Sequence, residues 1–121
     1  MNPARLMILW SLLLLPALAA QGGEAAGLLN GEYSLHGETR VDPPPGEARD
    51  SRFGMVLQGA AARELYKRMK VKSERDLCLD DGSRIKTQGP MRCVELAGKG
   101  GWRCEFAIRL DTMALVADGA C

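Results

Sequence analysis

The fold is decided by residues 91–110, which read MRCVELAGKGGWRCEFAIRL. Residues 91–97 and 102–110 are short runs rich in strand-forming side chains, and residues 98–101 between them, Gly-Lys-Gly-Gly, are typical of a turn. The pattern therefore predicts two antiparallel strands joined by a four-residue turn. One face of this hairpin would carry apolar side chains and the other charged ones.

The register of the hairpin decides which side chains face one another. If the four turn residues set the register, Cys93 lies opposite Phe106 and Cys104 lies opposite Glu95. Cys93 and Cys104 are then diagonal neighbours at about 7–8 Å, which exceeds the comfortable reach of a disulfide. This register argues against a bond between these two cysteines.

The chain has four cysteines, at separations of 15, 11 and 17 residues. Structural zinc sites usually need pairs of the form C-x₂₋₄-C, and a redox motif needs C-x-x-C; the sequence has neither. Two structural disulfides are therefore predicted, because a domain this small cannot easily bury enough surface to be stable without cross-links. Three connectivities are possible, and we favour Cys78–Cys93 with Cys104–Cys121.

Further strand and helix signals flank the hairpin. Residues 52–58 form a short apolar run that predicts a strand, residues 84–88 a weaker strand, and residues 114–120 a last strand. In residues 59–70, apolar side chains recur at intervals of three and four, which is the period of an amphipathic helix. These side chains are Ala62, Leu65, Tyr66 and Met69.

The elements together predict the α+β class: one amphipathic helix packed on a small antiparallel β-meander, stapled by two disulfides. Residues 51–121 would form this single small domain. The apolar stripe of the helix should meet one side of the sheet. The other side, which bears Arg103, Glu105 and Arg109, should be solvated.

The first twenty residues have the organisation of a secretory signal peptide. Arg5 precedes an apolar run, residues 6–15, which is followed by Pro16 and by the small residues of Ala17-Leu18-Ala19. The run has about half of the roughly 20 apolar residues that span a membrane, which disfavours a membrane span. We therefore expect residues 1–20 to be cleaved and the mature chain to reach the periplasm, with full secretion as the alternative.

Residues 21–50 have the composition of a flexible Gly/Pro-rich leader. Nine of these thirty residues are Gly or Pro, a share typical of chain without fixed structure. Within the leader, residues 32–41 carry apolar side chains at alternate positions, which would suit one exposed strand. The sequence leaves open whether the leader docks on the domain or stays mobile.

Charge and composition exclude several functions. The chain has 16 Lys and Arg against 15 Asp and Glu, and loss of Arg5 with the signal leaves 15 of each, so nucleic acid is not an expected partner. His36 is the only histidine, and no neighbour in sequence would orient it as a base. The run from Asp80 to Ser83 is typical of a turn rather than of a calcium loop. We expect no catalytic residue, no metal and no cofactor.

A basic stretch and a tryptophan supply the candidate partner-binding residues. They are Arg63, Lys67, Lys70, Lys72, Lys99 and Trp102. The basic side chains form either the solvated side of the helix, which is the usual role of such runs, or a patch for an acidic partner. Trp102 either closes the core at the sheet edge or anchors a partner.

The sequence thus predicts a small periplasmic protein that is not an enzyme and that binds or inhibits another envelope protein. The alternative is a binder of an acidic envelope polymer or of a small ligand, through the basic face of the helix. A carboxylate-based hydrolase ranks last, because the polar residues would face solvent. The oligomeric state and the identity of the partner are left open.

Overall fold

A computed structural model describes residues 25–119. The predicted signal peptide, residues 1–20, lies outside the described residues, and so does Cys121. The described chain forms one helix and seven strands. In chain order they are β1 (Asn30–His36), β2 (Arg52–Gln58), α1 (Gly59–Arg68), β3 (Glu74–Arg75), β4 (Arg84–Gln88), β5 (Met91–Glu95), β6 (Trp102–Arg109) and β7 (Ala114–Val116).

The strands form one antiparallel sheet in the order β1-β2-β6-β5-β4-β3. Strands β4 to β7 are the predicted meander, because each pairs with the next in sequence, whereas β3 was not predicted. The β1–β2 hairpin joins the opposite side of β6, and β7 pairs with the last part of β6, beyond the end of β5. The α+β class is therefore confirmed, with a sheet larger than a simple meander.

Strand β1 comes from the segment predicted to be a flexible leader. It pairs with β2 over its whole length, from Asn30 opposite Gln58 to His36 opposite Arg52. The sheet therefore includes residues on both sides of the predicted boundary between residues 50 and 51. The docking that the sequence left open is settled for residues 30–36, which form an edge strand.

The turn between β5 and β6 is where the predicted register is wrong. The prediction assumed that pairing continues as far as Ala97. Instead, the backbone N–H of Leu96 donates to the carbonyl oxygen of Gly101, 2.8 Å away, and the N–H of Gly100 donates to that of Ala97. Gly98 and Gly101 have φ values of 65° and 76°, a region that glycine enters without steric cost. Strand β5 therefore ends at Glu95, two residues before the predicted end at Ala97, whereas β6 begins at Trp102 as predicted.

The two-residue shift places Cys93 directly opposite Cys104 and Glu95 opposite Trp102. Cys93 and Cys104 form a disulfide with an S–S length of 2.03 Å and a Cα–Cα distance of 4.0 Å. The favoured connectivity, Cys78–Cys93 with Cys104–Cys121, is therefore wrong. Cys93–Cys104 is the one disulfide for which the structure describes both cysteines. No described cysteine is a free thiol.

The predicted apolar stripe of the helix does meet the sheet. Ala62 and Tyr66 are buried against Leu57 and the Cys93–Cys104 disulfide. The sulfur of Cys104 lies 3.4 Å from the carbonyl oxygen of Ala62, so the small alanine side chain lets the helix approach the sheet closely. Partly buried side chains complete this core: Met55, Leu65, Met69, Met91, Trp102 and Phe106.

The end of α1 is held by a lysine from the sheet. The Nζ of Lys86, on β4, donates to the carbonyl oxygens of Tyr66 and Met69, at 2.9 and 3.4 Å. The same ammonium lies 4.6 Å from the centre of the Tyr66 ring. A cation at this position satisfies carbonyls that have no partner within the helix and complements the negative end of the helix dipole.

Candidate functional site

Helix α1 covers only part of one face of the sheet. Its ten residues span about 15 Å, and it packs over the part that bears Leu57 and the disulfide. On the uncovered part, four apolar side chains stand in line across β1, β2, β6 and β7. They are direct register partners, Leu35 with Phe53, Phe53 with Ile108, and Ile108 with Leu115. We call these four residues the apolar row.

The side chains of the apolar row and its surroundings remain accessible. Leu35 is 57% exposed and Leu115 is 55% exposed, whereas Phe53 and Ile108 are half-buried. Tyr33, which is 71% exposed, stacks on the Phe53 ring with 5.1 Å between ring centres. A contiguous exposed apolar surface of this kind is typical of a site that binds another protein.

The outer edge of β1 borders the apolar row. Among residues 25–119, no strand pairs with this edge. The strand is seven residues long, NGEYSLH, and contains neither Pro nor Lys. Such an edge presents backbone donors and acceptors that can pair with another chain.

The opposite face of the sheet is only partly solvated: Arg103 and Arg109 are accessible as predicted, but Glu105 is not. Glu105 is only 8% exposed and Ala107 is fully buried. Residues 117–119 lie across this face: Arg52 donates to the carbonyl oxygen of Ala117, and Gly119 approaches Glu105 and Arg92. The sequence did not reveal this cover because it is supplied by chain far from the strands that it protects.

Asp118 is the anchor of this covering segment. Its carboxylate is 4% exposed and accepts from the Arg40 guanidinium at 3.1 Å, and it lies 3.2 Å from Nε2 of His36. The cluster sits above Gly54, where a Cβ atom would lie 2.5 Å from the Asp118 carboxylate. His36 was expected to be exposed and idle; it is instead partly buried and holds the segment that carries Asp118.

A second charged cluster lies beside the first. The Arg92 guanidinium donates to Glu105 at 2.6 Å and to Asp76 at 3.2 Å. Asp76 is 1% exposed, and its other carboxylate oxygen accepts from the backbone N–H groups of Cys78 and Leu79. The two carboxylates are therefore satisfied by one guanidinium and by backbone, which is an arrangement that stabilises structure.

The pKa values show one clear effect near these clusters. Hydrogen bonding from the Arg52 guanidinium holds the pKa of the Glu38 carboxyl below its usual range, and the positive charge of Arg109 acts in the same direction. Glu38 is on the surface, so it remains an ordinary ionised carboxylate at neutral pH. It is not placed as a general acid.

A cleft of about 500 Å³ lies on this charged face. Arg92, Arg103, Glu105 and Asp76 line it together with Cys78 and the glycine-rich end of the β5–β6 turn. Its acidic and basic groups bind one another. Within residues 25–119, no three His, Cys, Asp or Glu side chains lie close enough to hold a metal ion.

Two of the predicted partner-binding residues, Lys99 and Trp102, lie at the other end of β6 from the apolar row. The Arg63 guanidinium lies 5.3 Å from the centre of the Trp102 ring, so these two are brought together. Lys99 and Trp102 border a shared hollow of about 260 Å³. Lys67, Lys70 and Lys72 are exposed on α1 and on the chain that follows it.

Trp102 and Ile108 of the apolar row are six residues apart on one strand, or about 20 Å. Trp102, with Arg63 beside it, therefore lies outside the apolar row. The indole N–H of Trp102 is buried and has no acceptor in the described chain, which fits a ring packed against the sheet.

No protein-family model, no curated protein and no solved structure matches this chain. No helix in residues 25–119 combines the length and the hydropathy needed to cross a membrane.

Proposed function

We propose that this protein is an exported, non-catalytic binding protein that docks another envelope protein on the apolar row. The single observation that carries the proposal is the line of four apolar side chains across four strands, left uncovered by α1. A rigid sheet presents these side chains in a fixed arrangement, so little conformational entropy is lost when a partner covers them.

The energetics favour a protein partner over a small ligand. Covering the exposed parts of Leu35 and Leu115, together with Tyr33 beside them, removes apolar surface from water at about 25 cal/mol per Å². The surface is broad and open, whereas small molecules bind in concave sites that bury most of their surface. The partner would therefore contribute a complementary apolar face of its own.

Export to the periplasm is part of the same proposal. The Cys93–Cys104 disulfide is typical of an oxidising compartment, and the N-terminal sequence has the organisation of a signal peptide.

A second disulfide, Cys78–Cys121, would complete the set of four cysteines. Gly119 approaches Arg92, whose guanidinium lies 3.8 Å from the sulfur of Cys78, so two further residues can bring Cys121 within reach of Cys78.

The second disulfide can be tested by peptide mapping of the mature protein without reduction. We expect a cross-linked peptide that contains Cys78 and Cys121 and another that contains Cys93 and Cys104, with no free thiol by titration. The control is the same digest after reduction, in which both linked peptides should disappear. A peptide joining Cys78 to Cys93 would contradict this connectivity.

The docking proposal is tested with tagged full-length protein used to capture partners from a periplasmic extract of the native host. We expect a partner in a fixed stoichiometry that is lost with the double variant L35S/L115S. The substituted side chains are both more than half exposed, so the fold should be retained. Because the serines bury less apolar surface against the partner, the free energy of binding should weaken by about 3 kcal/mol. This is roughly a hundredfold rise in the dissociation constant measured with the purified partner.

The matched control is the charge reversal K67E/K70E, at two exposed residues of the basic stretch. It should leave capture unchanged if the apolar row is the docking surface. If K67E/K70E abolishes binding while L35S/L115S does not, and if binding falls steeply with salt, the protein is instead a binder of an acidic partner through its basic helix. Equal capture by wild type and L35S/L115S would overturn the docking proposal.

A further inference from the structure

We propose that the protein forms a symmetric dimer in which the β1 edges of two copies pair antiparallel. The interface lies along the outer edge of β1 and shares Leu35 with the apolar row, but the dimer does not depend on the proposed docking of another protein. Two features carry this proposal: the open edge of β1 and the order of side chains along it.

The edge of β1 lacks the features that usually prevent pairing with another chain. Natural edge strands are often protected by Pro, by Lys, by a β-bulge or by being very short. Strand β1 has seven residues, contains neither Pro nor Lys, and pairs with β2 residue for residue without a bulge. The edge at the other side of the sheet, β3, is by contrast only two residues long.

The sequence of β1 is complementary to itself about Ser34. In an antiparallel pair with a two-fold axis at Ser34, Tyr33 of each copy lies opposite Leu35 of the other, and Glu32 lies opposite His36. Tyr33 and Leu35 are on the face that bears the apolar row, whereas Glu32, Ser34 and His36 are on the charged face. Directly opposed side chains have Cβ atoms about 4.5–5.5 Å apart, close enough to interact.

Charge complementarity favours this register. The Arg40 guanidinium reaches the Ser34 hydroxyl at 3.4 Å, and both Arg40 and His36 bind the buried carboxylate of Asp118. The Arg40 side chain is 37% exposed, so Glu32 of the second copy could accept from the part of this guanidinium that Asp118 leaves accessible. By symmetry the same contact forms twice, so an isologous interface gains both pairs at once.

Helix α1 leaves room for a second copy at the edge of β1. Helix α1 begins directly after Gln58, which pairs with Asn30 at one end of β1, and the helix packs mainly over β2, β5 and β6. Antiparallel pairing places the two helices at opposite ends of the interface. The apolar rows of the two copies then lie on one face of a continuous sheet, with the exposed Tyr33 and Leu35 side chains at the junction.

The experiment measures the molar mass of the full-length, disulfide-bonded protein by light scattering after size exclusion, over a wide range of concentrations. We expect a concentration-dependent dimer. The substitution Glu32→Lys would place a lysine beside His36 and Arg40 of the other copy, and should raise the dimer dissociation constant by about tenfold or more. Glu74→Lys, the same charge change on the exposed edge strand β3, is the control and should leave the dimer unchanged.

A cysteine at the two-fold axis tests the register itself. Ser34→Cys would face its own copy across the interface and should form an intermolecular disulfide under mild oxidation, whereas Glu38→Cys, beyond the end of β1, should not. A chain that is monomeric at all concentrations would overturn the proposal. So would a dimer that tolerates Glu32→Lys and is not cross-linked through Ser34→Cys. Because Glu32 is not in the apolar row, loss of the dimer can be distinguished from loss of partner docking.

Discussion

Removal of the Cys93–Cys104 disulfide, as the double variant C93A/C104A, is expected to lower the free energy of unfolding by about 3 kcal/mol. The chain-entropy model gives this value for a closed loop of 11 residues. Both cysteines are fully buried against Ala62 and Tyr66, so the loss of two sulfur atoms should add a cavity term. A small domain has only about 5–15 kcal/mol in total, so the variant should unfold at a much lower concentration of denaturant.

The measurement is equilibrium unfolding in urea, compared with wild type and with Leu77→Ala. Leu77 is 78% exposed, so this control should change stability by no more than about 0.5 kcal/mol. A midpoint for C93A/C104A equal to that of wild type would show that the bond does not hold β5 to β6 in solution.

Arg92→Met is expected to destabilise the protein by about 3–5 kcal/mol, the usual cost of removing one partner from a buried ion pair. The guanidinium is the shared partner of Asp76 and Glu105, which are 1% and 8% exposed. Methionine would fill a similar volume but would leave two carboxylates without their cation. The cost comes mainly from those uncompensated charges and not from lost packing.

Two further variants separate these causes. Arg103 also approaches Glu105, but at 3.7 Å and with about half of its side chain exposed. Arg103→Met should therefore cost less than about 1 kcal/mol, as expected for a surface pair. The triple variant Arg92→Met with Asp76→Asn and Glu105→Gln removes both negative charges and should recover part of the loss. If Arg92→Met and Arg103→Met are equally stable in urea, the buried cluster does not contribute as described.

Local patterns in the sequence predicted most of the elements, although β3 was missed and β7 ends at Val116. Strand β2 has the predicted bounds, and α1 buries the predicted stripe because both depend on side-chain periodicity within one segment. The hairpin of β5 and β6 was also predicted, but its register was not. A change of two residues in where the turn closes was enough to bring Cys93 from a position opposite Phe106 to one opposite Cys104.

The apolar row and the covered charged face were harder to predict because they join distant parts of the chain. The alternation of Tyr33 and Leu35 is visible in the sequence, but nothing local shows that Leu35 will stand in line with Ile108 and Leu115. That arrangement depends on β2 entering the sheet beside β6. The burial of Glu105 likewise depends on Asp118, whose segment crosses the charged face.

The pairing of β2 with β6 has a consequence for how the protein is made. The paired residues are between 45 (Gln58 to Arg103) and 57 (Arg52 to Arg109) positions apart, and such non-local pairing is slow to form. During synthesis, the β1–β2 hairpin is made first and cannot complete the sheet until residue 109 has followed it. For that interval the side of β2 that will pair with β6 stays without its partner strand.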